Sequence, residues 1–382
     1  MASTQHTPTE LEAAGDLVLP AADELAGSFP LTHNLHPATP EEYNEIMSTL
    51  AFGKKFTDHM AHMRWTREGG WNERGVIPYG PLELTPGASV FHYCQSVFEG
   101  IKAYKREDGS VWTFRPGYNA ARLNHSARRL ALPELSREDF VASLVDYVRA
   151  DVKWVPDVDG SSLYLRPFMF ASEEFVGVHP AGVVDYYVIG SPSGPYFKGG
   201  LSGVAIWVER EYHRAGPGGT GSAKAGGNYA ASLLPQIQAE AKGFSQVCFL
   251  DTYEGKYLEE LGGMNMFVVM ADGVIRTPEL TGVILEGGTR SAILRMLRDQ
   301  GVDVREEKIA LSEVVDGIRS GAVAEVFACG TAAVVTPITR LGGDDFDVEI
   351  AVGDKTREIH KRLTDIQWGR AEDPYGWTYR LA

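Results

Sequence analysis

One lysine stands out in the sequence by its surroundings. Lys224 lies in Gly216–Tyr229, GPGGTGSAKAGGNY, where Gly216, Gly218, Gly219, Gly221, Gly226 and Gly227 crowd around it. Glycine permits positive φ and close approach of the backbone to a ligand, and it is equally the material of a flexible surface loop. Two phosphate-loop patterns can be tested against the segment. A Walker loop needs lysine directly after the second glycine of Gly-x4-Gly. Ser222 holds that place after Gly221, and Lys224 comes two residues later, so the pattern fails. Gly216-x-Gly218-x-x-Gly221 matches a dinucleotide fingerprint literally. Pro217 interrupts its turn, and Asp251, the first acidic residue at a strand end beyond it, is too distant for the ribose.

A third chemistry is Schiff-base formation with a carbonyl. It requires an amine that is neutral for part of the cycle, hence a packed and desolvated lysine. Ala223, Ala225, Gly226 and Gly227 leave space for a flat ring beside Lys224, and Tyr229 offers a phenol to a ring oxygen. If the carbonyl belongs to pyridoxal 5'-phosphate, three further parts are needed: a carboxylate for the pyridine nitrogen, a cation for the phosphate, and backbone N–H donors around it. Glu259 or Glu260 in EELGGMN supplies the carboxylate, or both are surface charges. Glu286–Arg290, EGGTR, precedes a helical pattern, and a helix N-terminus with a threonine hydroxyl is an anion site. Gly330-Thr331-Ala332 is a second such turn. Arg122, Arg128 and Arg129 in RLNHSARRL are the candidate cations, and spacing does not choose among them.

Other chemistries find less support. His59 and His62 in FTDHMAHM are three residues apart and, in a strand, would point to opposite faces, so no shared metal is expected. A serine hydrolase would want Gly-x-Ser-x-Gly, and Gly200-Leu201-Ser202-Gly203 is one residue short.

The elements that must position these residues alternate in type. Apolar, β-branched or aromatic runs predict strands at Ile101–Lys105, Val111–Phe114, Tyr164–Phe170, Tyr186–Ile189, Val204–Val208, Val247–Leu250, Met266–Met270 and Val323–Cys329. Helices are predicted at Tyr118–Leu130, Arg137–Asp151, Tyr229–Lys242, Thr289–Asp299, Glu313–Arg319 and Lys355–Ile366. Ser136 and Asp139 form a capping-box pattern before the second of these. The mixture argues for an α/β or α+β protein. At 382 residues the chain is long enough for roughly two domains. A Gly- and Pro-rich stretch, residues 191–203, suits an interdomain connection. The expected division is a mobile lead-in at 1–30, a smaller domain at 31–190, the linker, and a larger domain at 204–382.

Composition narrows the partners. Lys plus Arg number 36 against 51 Asp plus Glu, a net charge of −15, which disfavours nucleic acid as a main partner. Cys94, Cys248 and Cys329 are too few and too scattered for a disulfide framework, as in a cytosolic protein. No run approaches ~18 consecutive apolar residues, so no membrane helix is expected. The acidic N-terminal stretch fits neither a secretory signal nor a mitochondrial presequence, and a cytoplasmic location is expected.

Seven ordered segments, FGKKFTDHM, QSVFEGIKAYK, LYLRP, GTGSAKAGGNYA, EELGGMN, GVILEGGTR and CGTAAVVTP, together resemble the branched-chain amino-acid aminotransferases of PLP fold type IV. The similarity runs from about Leu31 to near the C-terminus. It implies a two-domain fold with a smaller N-terminal α/β domain and a larger C-terminal pseudo-barrel. It also implies ping-pong transfer of the amino group between L-leucine, L-isoleucine or L-valine and 2-oxoglutarate, as the last step of their synthesis or the first of their degradation. By the resemblance, Lys224 is the Schiff-base lysine, Tyr229 reaches the cofactor's phenolic oxygen, and Glu260 rather than Glu259 meets the pyridine nitrogen. Arg122 is the phosphate arginine, Gly288, Thr289 and Thr331 form the phosphate cup, and Thr331-Ala332 also presents amides to the substrate carboxylate. Tyr93, Phe98, Tyr164, Arg166 and Tyr196 match pocket residues, and Phe52 joins them. Tyr93 and Val178 would complete the neighbouring site of a homodimer.

Physical chemistry fits these types. Aromatic walls suit an apolar substrate side chain, and Arg166 with tyrosine hydroxyls suits the glutamate carboxylate. Two departures stand out. Ala333 and Thr336 occupy the positions of a Cys-x-x-Cys redox pair found in some members, and Gly263 replaces a threonine found beside the cofactor in others. D-amino-acid aminotransferases and aminodeoxychorismate lyases share the lysine and glutamate but should lack Tyr164-x-Arg166 and FTDHM. A dinucleotide-binding protein built on Gly216–Gly221 is the alternative of another class.

Overall fold

The computed structural model describes residues 8–195 and 201–382. In chain order the strands are β1 (His59–Thr66), β2 (Gly70–Pro78), β3 (Ser96–Phe98), β4 (Ile101–Lys105), β5 (Val111–Phe114), β6 (Ser162–Ala171) and β7 (Val183–Ser193). After them come β8 (Val204–Glu209), β9 (Gln246–Leu250), β10 (Leu258–Leu261), β11 (Asn265–Met270), β12 (Ile275–Pro278) and β13 (Val304–Glu307). Then β14 (Val323–Gly330), β15 (Val334–Gly343), β16 (Phe346–Glu349) and β17 (Thr378–Arg380) complete the set. The chain divides into two compact units, Met1–Tyr196 with Ile366–Ala382, and Phe197–Asp365. Among the described residues each unit holds one sheet, and the fold is mixed α/β.

The first unit's sheet runs β17-β5-β4-β6-β7-β1-β2, with β3 beside β6, and its neighbours are antiparallel. Strand β6 shows why it forms. In LYLRPFMF, Leu163, Leu165 and Met169 enter a core with Trp154, Phe140 and Tyr186, while Tyr164, Arg166, Phe168 and Phe170 line the other face. Each fully buried large apolar side chain there contributes about 1.5–3 kcal/mol. The helix Arg137–Ala150 packs on β1 and β2. Its Ser136 hydroxyl accepts the Asp139 N–H at 2.9 Å, but the expected capping box is only half made. The Asp139 carboxylate is committed to Arg74 instead.

The second unit's sheet runs β10-β9-β8-β15-β14-β11-β12-β13, with β16 on β15. It is mixed, being parallel at β8–β9, β8–β15 and β12–β13. The helix expected at Tyr229–Lys242 is two helices, Gly226–Ala231 and Leu233–Ala241. Pro235 has no N–H to donate back to Ala231, so a continuous helix would break there.

Three further differences from the expected organisation have simple causes. The stretch read as a mobile lead-in carries a complete capping box, Thr9 with Glu12, and buries Leu25 and Phe29 in the first core. The C-terminal residues, expected with the second half, belong to the first unit because β17 pairs with β5. Strand β7 extends to Ser193, into the stretch read as linker.

Candidate active site

In the second unit the glycine-rich loop delivers its lysine just before the helix Gly226–Ala231. The Lys224 Nζ donates to the Tyr229 hydroxyl at 2.8 Å. Asn228, buried, anchors the loop ahead of the lysine. Its Nδ2 donates to the carbonyl oxygens of Thr220 (2.7 Å) and Ala223 (2.9 Å), and its Oδ1 accepts from the Thr220 hydroxyl at 2.6 Å. Gly221 is required by proximity: a Cβ there would lie 2.2 Å from the Val283 carbonyl oxygen. The segment Gly216–Gly221 is not a strand-to-helix turn, since Lys224 and Ala225 intervene before the helix begins, so the dinucleotide reading lacks its context.

Of the two glutamates in EELGGMN, Glu260 is built into this assembly. It is buried on β10, and its Oε1 accepts the Leu285 N–H at 2.7 Å and lies 2.7 Å from Arg214 Nη1. The same Nη1 donates to the carbonyl oxygens of Val283 (2.8 Å) and Gly221 (3.1 Å). Arg214 thus ties the lysine loop to the carboxylate. Burial pushes the Glu260 carboxyl above its ordinary range, while Arg214, the Leu285 N–H and the charges of Lys224 and Arg290 pull it back toward the anion.

Asn265 positions the expected phosphate turn. Its Nδ2 donates to the Leu285 carbonyl at 2.9 Å, and a Cβ on Gly287 would lie 2.1 Å from its Oδ1. Gly287 is the N-cap residue of the helix Gly288–Asp299 and, being glycine, makes no side-chain cap. Thr289 lies in its first turn, where N–H groups fall outside the helical ladder. Asn265 is also paired with Cys329 across β11 and β14, which sets the turn Thr331–Ala333 beside this region. Val334, at the end of that turn, holds φ 59°, a left-handed conformation unusual for a β-branched residue and costing about 1–3 kcal/mol. Burial pushes the Cys329 thiol up to about 12, so it is inert as a nucleophile. The unit therefore presents an amine, a phenol, a buried anion and a helix N-terminus. These are the groups that a ring with an aldehyde, a basic nitrogen and a phosphate requires.

In the first unit, four of the expected pocket residues meet. The Phe52 and Tyr164 rings make an edge contact at 4.8 Å. The Arg166 guanidinium lies 4.6 Å from the Phe98 ring centre and donates to the Tyr164 hydroxyl at 3.2 Å. Its buried Nε has no hydrogen-bond partner among the described residues. Gly100 leaves room for the Tyr164 hydroxyl, which a Cβ would meet at 2.1 Å. Lys102 lies directly across the ladder from Tyr164, and burial draws its ammonium down to about 8. Arg122 is buried in the helix Pro116–Arg129, and Glu99 holds its guanidinium through Nε at 2.8 Å and Nη2 at 2.7 Å. Tyr93 and Val178 stand apart from this group; Val178 is 88% exposed, and Tyr93 donates to the Val176 carbonyl. Tyr196 lies outside the described residues. His59 and His62 each take a different carboxylate, Asp151 and Asp185, both at 2.7 Å.

Sequence reasoning missed Arg214, Asn228, Lys102 and Glu99. Asn228 had a local signal, since it sits between Gly227 and Tyr229 in the lysine motif. Arg214 had none, because its partners at 221, 260 and 283 converge only on folding.

Comparison with known proteins identifies the family. The profile of the family described as amino-transferase class IV matches residues 96–341. The branched-chain-amino-acid aminotransferase of Mycolicibacterium smegmatis is 48% identical over 360 residues, covering 92% of this chain and 98% of that protein. The crystal structure of the branched-chain aminotransferase from Thermoproteus uzoniensis with norvaline superposes with a TM-score of 0.70 at 27% identity. It covers 84% of this chain and 100% of that one. A branched-chain amino acid aminotransferase from T.th., complexed with N-(5'-phosphopyridoxyl)-L-glutamate, gives 0.68 at 27%, covering 84% and 99%. The chain belongs to the class IV aminotransferases and, within them, to the branched-chain-amino-acid aminotransferases.

Proposed function

We propose that the protein is a pyridoxal-phosphate-dependent transaminase that moves the amino group between L-leucine, L-isoleucine or L-valine and 2-oxoglutarate. The observation that carries this reading is the joint geometry of Lys224 on Tyr229 and Glu260 on Arg214, in a chain whose relatives carry that activity in their names. When bound, the cofactor supplies an electron sink for the bond broken at the substrate α-carbon.

The chain's residues have these parts. Lys224 would hold the cofactor through its amine and, with that amine free, would move a proton to or from the substrate α-carbon. Tyr229 offers its phenol to the ring oxygen and keeps the lysine amine aligned at 2.8 Å. Glu260, drawn toward the anion by Arg214, would pair with the ring nitrogen and hold a proton there. Gly288, Thr289 and Thr331 take the phosphate, with Arg122 as its cation. The amides at Thr331-Ala332 take the substrate carboxylate. Phe52, Phe98 and Tyr164 form the apolar wall, and Arg166, with its free Nε, takes the second carboxylate of glutamate. The neighbours solved with norvaline and with a phosphopyridoxyl-glutamate adduct support a site serving both side-chain types.

The same reading makes the working molecule a homodimer in which Tyr93 and Val178 complete the neighbouring site. The exposure of Phe91, Tyr93, Val176 and Val178 supports it, since apolar side chains are rarely left so open together. It also assigns the enzyme to the cytoplasm. No helix among the described residues is long and apolar enough to cross a membrane.

Lys224→Ala is the direct test. Transamination is expected to vanish while the melting temperature stays near that of the parent; retained turnover would sink the mechanism.

A further inference from the structure

Beside Glu260 the chain places a second glutamate that the reaction does not use. Glu259 is only 8% exposed, its carboxylate oxygens keep a little contact with solvent, and no hydrogen bond or ion pair meets them among the described residues. It lines a cavity of about 250 Å³ that lies wholly within the second unit. Lys224, Tyr229, Glu260 and Thr289 are absent from the lining, so this is a separate compartment. The walls are largely apolar: Pro217, Leu258, Val283, Ile284 and the ring of Tyr257.

The charges around the cavity have one sign in excess. Asp251, Glu254, Glu279 and Glu307 join Glu259, against Lys308 alone. Two of these acids are already engaged. Asp251 accepts the N–H groups of Glu254, Lys256 and Tyr257, and Glu307 accepts from Arg276. Of the remaining three, Glu259 is the one buried inside the protein, at 8% exposure, facing the apolar walls. Burial, with Asp251 and Glu260 nearby, raises its carboxyl to about 7, and Arg214 opposes this only in part. A largely desolvated carboxylate that Arg214 compensates only in part is costly, and a ligand that brings a positive charge and donors reduces that cost. A hard metal ion wants six or more oxygen ligands, and one free carboxylate among apolar walls does not provide them.

We propose that this cavity is a second binding site, for a compact organic cation whose ammonium or guanidinium pairs with Glu259 and whose apolar body fills the space beside Ile284 and Val283. The volume lies below the usual ~300–1,000 Å³ of ligand pockets, so the ligand is small. An N–H-bearing cation is preferred over a quaternary one, because the carboxylate lacks hydrogen-bond donors as well as charge.

Benzylguanidinium is a suitable probe: it is permanently charged, bidentate toward carboxylates and, unlike an amine, unreactive toward the cofactor's aldehyde. Titration calorimetry of the holoenzyme should show one site per chain, undisturbed by saturating 2-oxoglutarate. Glu259→Gln keeps shape and loses charge, and should weaken binding by about tenfold or more. Melting temperature and the visible absorbance of bound cofactor report whether that variant is folded. If it is not, Glu259→Asp carries the test, since a retracted carboxylate should also bind more weakly. No binding heat up to about 10 mM probe, equal affinity in the folded variant, or displacement by 2-oxoglutarate would each overturn the proposal.

Discussion

Arg214 joins three parts of the site through one nitrogen. Its Nη1 reaches Glu260, the Gly221 carbonyl of the lysine loop and the Val283 carbonyl. Replacing it with alanine leaves a buried carboxyl without its directly paired cation, a change that typically costs about 3–5 kcal/mol. On the proposed reading, Glu260 would then favour its own protonated form over holding a proton on the ring nitrogen. Arg214→Ala is expected to lower kcat by about one to two orders of magnitude, with the loss greatest where a neutral Glu260 prevails, at lower pH. Steady-state kinetics across pH would show it; a kcat and pH profile equal to the parent's would mean that Glu260 does not depend on this pair. The lysine and the tyrosine were legible because their motif is short and contiguous, whereas the residues alone left Glu259 and Glu260 open and only the resemblance chose between them. Arg214 was not legible, because its function depends on carbonyls and a carboxylate brought in from 7 to 69 residues away.

Strands and helices set these residues through a few close approaches. Gly287 lets Asn265 reach the entrance of the helix Gly288–Asp299, and a Cβ at 2.1 Å from the Asn265 Oδ1 would displace one or the other. Gly287→Ala is expected to weaken retention of the phosphate-bearing cofactor at least several-fold, with a smaller effect on folding. Equilibrium dialysis against free cofactor checks it, and unchanged retention would argue against the phosphate turn. In the first unit, Asp185 on β7 meets His62 at 2.7 Å and Arg64 Nε at 3.0 Å, both on β1. Burial alone would raise this carboxyl, but those hydrogen bonds win and hold it below its ordinary value. A depressed native pKa stabilises the fold above the unfolded value of ~3.9, and that contribution is lost as pH falls through the lower native value. The melting-temperature gap between the parent and Asp185→Asn should therefore shrink as pH falls from about 5 toward 3. A gap independent of pH would place the carboxylate's role elsewhere. Apolar strands such as β4, β5 and β8 were readable from side-chain type. Strand β13, VREE, was not, since a charged edge strand has no apolar signature and owes its place to pairing with β12. The short N-terminal helices Glu10–Gly15, Ala22–Leu25 and Pro40–Thr49 were missed for a related reason: few apolar residues anchor them, and Leu25, with Phe29 just beyond its helix, matters only because the first unit's core receives it.

Taken whole, the chain carries its amine, its buried carboxylate and its phosphate turn in one compact unit, and the Tyr164–Arg166 cluster in the other. The return of β17 to β5 explains why the last residues belong with the first half, a long-range pairing that composition does not announce. Phe52, Phe98, Tyr164 and the guanidinium of Arg166 form one cluster, and the proposed recognition of both an apolar and an acidic amino acid rests on it. The central claim is a reversible amino-group transfer that starts from the L-isomer of a branched-chain amino acid. The visible absorbance of the purified holoenzyme tests it most directly. L-leucine should bleach the band of the bound cofactor, and 2-oxoglutarate should restore it. A band that ignores L-leucine and answers a D-amino acid, or no band after pyridoxal phosphate is supplied, would contradict the account.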